Sequence, residues 1–233
     1  MSQCCAVVEL RQYTLHPGAR DTLVRLFDAH FVESQERCGM RVIGQFRDLD
    51  DPDRFVWLRG FSDMEARTRA LEAFYGGPVW KEHATAANAT MVDHTNVLLL
   101  RPIDATAGFR FDARLRPEPE SPVIAGGVVI ATIDHLDGRP ASDVVAAPGD
   151  AGDANVLARL VTESARNPFS RLPVREDANV LVTFFSCATT DAHHPSPIIG
   201  PGVRHREYLR LEPTRRSYLR HALPPRTEGE RAG

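Results

Sequence analysis

Two short segments of the chain place charged and aromatic side chains at every second position. The six residues are Glu9, Arg11 and Tyr13 in one segment and Phe55, Trp57 and Arg59 in the other. A period of two is typical of a β-strand, on which such side chains share one face. A carboxylate, two guanidinium groups, a phenol and an indole on one apolar-walled surface have the composition of a small-molecule pocket. The spacing therefore indicates a ligand-binding face formed by two strands.

The side chains of this face suggest a chemistry. Arg59 and Arg11 would bind an anionic or carbonyl oxygen, and Glu9 or His83 would move a proton. The aromatic side chains of the two segments would hold a flat apolar body. A purely structural interpretation stays open: Glu9 and the arginines would pair because buried charges must pair, and the aromatic rings would fill volume.

The elements around these segments follow the order βαββαβ. Strands are predicted over residues 7–13, 40–48, 54–61 and 96–101, and helices after Pro17-Gly18, over 63–74 and over 79–91. Asp63 is expected to cap the second of these helices. The aliphatic face of the strands, which carries Val8, Leu10, Val56 and Leu58, is expected to face the helices. The six polar and aromatic residues would then line the interior of a barrel.

We therefore predict an α+β chain of two ferredoxin-like (βαββαβ) domains that pack as a pseudo-dimeric α/β barrel within one chain. One such unit leaves a sheet face uncovered, and a second unit buries it. The predicted domains are residues 1–104 and 123–223, with a linker at 105–122 and a disordered tail at 224–233. In the second half, strands are expected over 128–136, 180–185 and 207–211, a short helix over 153–160, and a loop or broken helix over 189–203.

Several motifs of the first half together resemble the NIPSNAP family of the dimeric α/β-barrel superfamily. They are Glu9-Leu10-Arg11-Gln12-Tyr13, Pro17-Gly18, Gly44-Gln45-Phe46-Arg47, Phe55-Val56-Trp57-Leu58-Arg59-Gly60-Phe61, Ala73-Phe74-Tyr75-Gly76-Gly77-Pro78-Val79-Trp80-Lys81, Ala87-Asn88-Ala89-Thr90-Met91-Val92-Asp93 and Asn96-Val97-Leu98-Leu99-Leu100-Arg101-Pro102. The resemblance implies the paired ferredoxin-like architecture but no particular reaction. It leaves two functions open: a small-molecule-binding protein or cofactor-independent enzyme of the barrel monooxygenase or isomerase type, and a non-catalytic interaction or adaptor module.

A second motif, at residues 162–176, resembles a segment of bacterial two-domain members of that family. It contains Glu163, Asn167, Phe169 and Arg175, although Pro168 and Ser170 depart from the commoner pattern. Two interpretations are open for this segment. It would either cover one mouth of the barrel, with Glu163 and Arg175 as ligand-binding residues, or serve as a structural latch between the two halves.

The positions of the histidines indicate whether the chain could bind heme or a metal ion. Some dimeric α/β-barrel monooxygenases that degrade heme use a helix His as iron ligand, a strand Trp and a first-strand Asn. This chain offers His83 and Trp57, but its first strand has no Asn. His193-His194, with Asp191 and His205, is the cluster most suggestive of a metal, yet its spacing is not that of a ligand set. We expect no metal and no cofactor.

Composition limits the classes of partner. A net charge of −3 without a Lys/Arg block argues against nucleic acid. No apolar run approaches the ~20 residues of a membrane span, and no export signal is visible. All four cysteines, which are Cys4, Cys5, Cys38 and Cys187, are expected to be free, because their spacing suggests no bridge. The expected protein is cytoplasmic, binds a small molecule, and is a monomeric pseudo-dimer or a homodimer.

Overall fold

The computed structural model describes residues 4–119, 121, 126–138, 155–188 and 202–223 of the chain. The strands are β1 (Val7–Leu15), β2 (Arg41–Asp48), β3 (Arg54–Phe61), β4 (Met91–Pro102), β5 (Val128–Leu136), β6 (Asn155–Thr162), β7 (Val180–Cys187) and β8 (Val203–Pro213). The helices are α1 (Arg20–Leu26), α2 (Val32–Arg37), α3 (Met64–Gly76) and α4 (Pro78–Asn88), and a π-helical turn, Phe27–Phe31, joins α1 to α2. Within the described ranges, no helix combines the length and apolar character needed to cross a membrane.

The eight strands form one closed barrel in the order β1-β3-β2-β8-β5-β7-β6-β4. Neighbouring strands pair antiparallel throughout, and the two halves join where β2 meets β8 and where β4 meets β6. Each half uses the same arrangement: β4-β1-β3-β2 in the first and β8-β5-β7-β6 in the second. The α+β class with an antiparallel sheet is confirmed, and the barrel closes within one chain.

The interior of the barrel is packed with aliphatic and aromatic side chains from both halves. Val8, Leu10, Val56 and Leu58 face inward and meet Val129, Ala131, Ile133, Leu160, Val182, Phe184, Leu209 and Leu211. Phe109, from the segment between β4 and β5, packs on Phe184 in the same cluster, with the ring centroids 5.1 Å apart. The prediction that the aliphatic face turns toward the helices is therefore wrong. Two facing sheets must exclude water between them, so the aliphatic faces go inside.

The helices cover the opposite face of the first-half strands. Phe27, Phe31, Leu71 and Phe74 pack against a cluster that includes Tyr13, Phe55, Trp57 and Leu99. The polar and aromatic face predicted from the sequence thus lies between sheet and helices, outside the barrel interior. A ligand site inside the barrel, expected from the sequence, is contradicted by this packing.

The second half differs from the prediction at β6. Residues 153–160 were expected to be helical, but Asn155–Thr162 is a strand that pairs with β7 and with the end of β4. Cross-strand burial of Leu160 and Val161 outweighs the weak helical pattern of the segment. Strands β5, β7 and β8 occur where they are expected. The predicted loop or broken helix at 189–203 falls largely outside the described residues, as do the predicted tail and the His193-His194 pair.

The cysteines also differ from the prediction. Cys4 and Cys5 form a disulfide between neighbouring residues, whereas Cys38 and Cys187 are free and half-buried. The expectation of four free thiols is therefore wrong. It rested on spacing rules for bridges that close loops, and these rules do not apply to two adjacent cysteines, which enclose no loop.

Candidate functional site

The site is built around one buried carboxylate, that of Glu9, which three arginines contact. Arg11 Nη1 and Arg59 Nε each lie 2.7 Å from Glu9 Oε2, and Arg67 Nε lies 2.6 Å from Glu9 Oε1. All four side chains have no solvent exposure. Glu9, Arg11, Arg59 and Arg67 are called the Glu9 cluster below. Three positive charges and one negative charge give it a net charge of two positive units.

Strand register and one helix place these charges together. Glu9 on β1 lies directly opposite Arg59 on β3, and Arg11 lies opposite Trp57. Arg67 comes from α3, whose N-terminus is fixed by Asp63, since Asp63 Oδ1 accepts a 2.6 Å hydrogen bond from the Ala66 amide. The cap predicted at Asp63 is confirmed. The cluster therefore joins two strands to the helix that packs on them.

The three guanidinium groups are only partly satisfied by neutral neighbours. Arg11 Nε donates to the Tyr13 hydroxyl at 2.8 Å, Arg59 Nη1 to Gln35 Oε1 at 3.1 Å, and Arg67 Nη1 to Asn167 Oδ1 at 2.9 Å. The Nη2 atoms of all three arginines and the indole Nε1 of Trp57 are buried without an acceptor among the described residues. Buried donors without partners are costly. Four such donors around a positive cluster mark a place where an anionic or carbonyl oxygen would be stabilised.

Electrostatics assign Glu9 the role of counterion. Burial alone would raise the pKa of Glu9, but the charges of Arg59, Arg11 and Arg67 outweigh it and hold that pKa well below its usual range. A carboxylate that stays ionised at all ordinary pH values is a poor proton carrier. The geometry therefore gives no support to the sequence-based idea that Glu9 moves a proton.

A cavity of about 420 Å³ lies beside the Glu9 cluster. Its walls are mainly aromatic and aliphatic: Tyr13, Tyr75, Trp80, Met91, Val92, His94, Phe169 and Leu172 contribute, with Asn88 and Arg171. Tyr75 packs edge-on to Trp80, with ring centroids 4.8 Å apart, and is stacked with Phe169 at 6.2 Å. Tyr13 belongs to both regions, because its ring lines the cavity and its hydroxyl accepts the hydrogen bond from Arg11.

One wall of the cavity is a loop from the second half, residues 163–175, here called the covering loop. Its ends pair with β4, where the Glu163 amide donates to Leu99 O and the Arg175 amide to Val97 O, both at 2.8 Å. Between these ends, Asn167 accepts from Arg67, and Phe169 packs on Tyr75. Both interpretations of this segment apply to a part of it. The backbone pairing of its ends with β4 links the two halves as a structural latch would, and its central side chains cover a site. What it covers is the helix side of the sheet rather than a mouth of the barrel.

Replacing Asn167 with Ala should loosen the covering loop. Asn167 Nδ2 donates to Leu172 O at 2.9 Å, and its Oδ1 accepts from Arg67, so the change removes a partner from the half-buried Leu172 carbonyl and from the buried Arg67 guanidinium. We expect a loss of ~1–3 kcal/mol in the free energy of unfolding and faster amide exchange within the loop. Asn96→Ala is the matched control, because the side chain of Asn96 accepts, among the described residues, only a long 3.5 Å bond from Arg175. Equal amide exchange in the two variants would contradict the assignment.

The structure brings together six of the predicted site residues and separates three. Glu9, Arg11, Tyr13, Phe55, Trp57 and Arg59 share the face between sheet and helices. Glu163 and Arg175 lie at the ends of the covering loop and are not in the cavity wall; the Glu163 carboxylate accepts from the Ala165 amide. His83 stacks on His30, with ring centroids 3.8 Å apart, and is also absent from that wall.

Sequence reasoning missed several residues of the site. Arg67 is buried on the same stripe of α3 as Ala70, Leu71 and Phe74, and this helical spacing was a usable signal for it. Gln35 and His94 gave no comparable signal, whereas Asn167 stood in the motif at residues 162–176 without a role of its own. Among the residues that the structure describes, no group of three or more His, Cys, Asp or Glu side chains is placed to hold a metal ion.

Comparisons with known proteins found one family model and several solved structures that resemble this chain. Residues 8–106 match the NIPSNAP family model. A NIPSNAP-like domain protein from Burkholderia xenovorans is 26% identical, with a TM-score of 0.39, over 42% of this chain and 85% of its own. A candidate monooxygenase from Lactobacillus acidophilus NCFM is 11% identical with a TM-score of 0.52, over 94% of this chain and 95% of its own.

A second candidate monooxygenase, from Fusobacterium nucleatum, is 7% identical with a TM-score of 0.52, over 89% of this chain and 91% of its own. At these identities the two monooxygenase structures show a shared fold alone. A comparison with curated proteins gave no match.

Proposed function

We propose a function from the Glu9 cluster and its cavity. The match of residues 8–106 to the NIPSNAP family model supports a fold, but a fold does not by itself determine a reaction. The protein binds a flat, largely apolar small molecule that carries an anionic or carbonyl oxygen. The observation that carries this proposal is the position of Tyr13, which lines a cavity of about 420 Å³ and receives a hydrogen bond from the cluster. Cavities of this size and composition are typical of small-molecule sites.

Tyr13 is the group that would meet the ligand oxygen. Burial raises the pKa of Tyr13, and the opposing charge of Arg11 does not cancel that effect, so the phenol keeps its proton at neutral pH. Because Arg11 already donates to the phenol oxygen, the hydroxyl proton is available to an acceptor in the cavity. The net positive charge behind Tyr13 would stabilise negative charge on that acceptor, as donors do in an oxyanion hole.

This arrangement suits reactions that pass through an enolate, including cofactor-independent oxygenation and isomerisation. A base removes a proton next to the substrate carbonyl, and the electron pair moves onto the oxygen held by Tyr13. His94 is the base that the cavity wall offers, since its ring lies 6.3 Å from that of Tyr13. Two proteins of the same fold are described as candidate monooxygenases, so oxygen consumption is one assay to run on any ligand that binds.

We extend the proposal to the domain organisation. The repeated strand arrangement of the two halves supports a fusion of two ferredoxin-like units, residues 1–104 and 123–223, joined by residues 105–122. A barrel that closes within one chain buries both sheets without a second copy. The second unit also contributes the covering loop, so the site needs both.

Titration with 1-naphthoate tests the proposal, with 1-naphthalenemethanol as the uncharged probe. Trp80 lines the cavity, and the chain has two tryptophans, so binding should quench intrinsic fluorescence. We expect saturable quenching, with the carboxylate bound at least about tenfold more tightly, because charge-assisted hydrogen bonds exceed neutral ones. Native mass spectrometry of freshly purified protein would identify a retained ligand. Absence of binding by both probes would count against a small-molecule site.

The packed barrel interior is the observation that favours a second candidate, a non-catalytic interaction module. A module of this kind acts through its surface and has no need for unpaired donors beside a cavity. It predicts that neither probe binds and that purified protein carries no ligand. The two candidates therefore give opposite results in the same titration.

A further inference from the structure

A second cavity, of about 580 Å³, lies on a different part of the molecule. It is bounded by α1 and the π-helical turn, by β2, by the end of β8 with the segment that follows it, and by the segment between β4 and β5. Five arginines contribute to its wall: Arg25, Arg47, Arg215, Arg216 and Arg220. None of them belongs to the Glu9 cluster or to the cavity beside it.

Arg216 is the central observation. Its side chain is 6% exposed, and its Nη2 contacts a carboxylate oxygen of Glu33. Its Nε and Nη1 atoms are buried and have no hydrogen-bond partner among the described residues. Two donors of a buried, permanently charged group are thus left for an acceptor that the described residues do not provide.

The charge of the wall favours an anion. Among the described residues of the wall, the five arginines face two acids, Asp28 and Glu212, which leaves three positive units. Arg47 pairs with Asp21 at 2.7 Å, and Arg216 pairs with Glu33; both of these acids lie outside the wall. Counting them as well still leaves one positive unit. Apolar wall residues, including Val24, Pro213 and Leu223, could receive an uncharged body attached to the anion.

We propose that this cavity is a second ligand site, which binds a small doubly charged oxyanion such as a phosphate monoester through Arg216 and the neighbouring arginines. Guanidinium groups match the geometry of phosphate oxygens. The wall includes residues of both halves of the chain, from α1 and β2 on one side and from the segment after β8 on the other. A bound anion therefore joins the halves and stabilises the folded protein in proportion to its occupancy.

Asp28 adds a pH dependence to this site. Burial raises its pKa to about 6, while hydrogen bonds from Thr214 Oγ1 and the Arg216 amide and the charges of Arg216 and Arg47 act in the opposite direction. Arg25, Arg215, Arg220 and Glu212 are the other charged groups of the wall. As the pH falls through about 6, Asp28 takes up a proton and a negative charge leaves the cavity. Affinity for an anion of constant charge should therefore rise on acidification.

Calorimetric titration of the full chain tests the proposal with two probes. Inorganic sulfate keeps its charge across the pH range, and phenyl phosphate at pH 8 reports on the apolar walls. In Arg216→Met we expect sulfate affinity to fall at least about tenfold, as loss of charge-assisted hydrogen bonds implies. Arg114→Met is the matched control, because Arg114 is exposed, pairs with Asp112, and is absent from the wall. The Arg114→Met variant should bind sulfate with the same affinity as the wild type.

Asp28→Asn keeps the proposal testable if Arg216→Met folds poorly. This variant should bind sulfate more tightly than the wild type at pH 8 and lose the rise in affinity between pH 7 and 5. Tighter binding of phenyl phosphate than of sulfate would identify an organic phosphate as the ligand, and equal binding would identify the free anion; both support the site. Three results would overturn it: no sulfate binding by the wild type, equal affinity in folded Arg216→Met, or an unchanged pH profile in Asp28→Asn.

Discussion

Glu9→Gln should destabilise the protein by ~3–5 kcal/mol, the cost typical of breaking a buried ion pair. The glutamine fits the same space, but the three arginines around it lose their counterion while they stay fully buried. The net charge of the Glu9 cluster then rises from two to three positive units. Urea unfolding followed by circular dichroism measures the change.

Arg59→Met is the control that separates charge balance from loss of contacts. It lowers the net charge of the cluster to one positive unit and leaves Glu9 paired with Arg11 and Arg67. We expect it to cost less than Glu9→Gln. The double variant restores a net charge of two and should be more stable than Glu9→Gln alone. An equal or smaller cost for Glu9→Gln than for Arg59→Met would contradict the counterion role.

The same variant predicts a pH dependence of stability. The folded-state pKa of Glu9 is lowered, so its contribution is fully present above its unfolded pKa of about 4.3 and is lost as the pH falls through the lower folded value. The stability difference between wild type and Glu9→Gln should therefore be constant from neutral pH down to about pH 5. Below about pH 4 it should shrink.

Tyr13→Phe should weaken binding of 1-naphthoate by about 10- to 100-fold, the worth of one hydrogen bond to a charged group. The phenylalanine ring preserves the cavity wall and removes the hydroxyl that links the wall to Arg11. Fluorescence titration measures the affinity, and a thermal melt confirms that the variant is folded.

Tyr75→Phe is the matched control for this prediction. Tyr75 lines the same cavity, but from the residues that the structure describes its hydroxyl receives only a 3.4 Å hydrogen bond, from Arg59. Loss of the Tyr75 hydroxyl should reduce the affinity for 1-naphthoate several-fold less than loss of the Tyr13 hydroxyl does. If both tyrosine variants bind 1-naphthoate as the wild type does, the ligand oxygen does not meet Tyr13, and the proposed role of the cluster fails.

Much of the first half follows from the sequence. Strand periodicity put Glu9, Arg11 and Tyr13 on one face with Phe55, Trp57 and Arg59, and the structure places all six on one face. The cap at Asp63 and the order of the first-half elements were also predicted correctly. These features depend on neighbours close in the chain, so local patterns are enough to predict them.

Other features depend on tertiary structure alone. A period of two says which side chains share a face, but it does not say whether a barrel interior or a layer of helices covers that face. The aliphatic faces were free to pack together only because the helix side supplies Arg67, Gln35 and Asn167 as polar partners for the charged face. The residues that these hydrogen bonds join are 58, 24 and 100 positions apart in the sequence. A local sequence pattern cannot predict contacts between residues so far apart in the chain. The sequence of two strands therefore determines which side chains form the site, and the packing of the whole chain determines where the site lies.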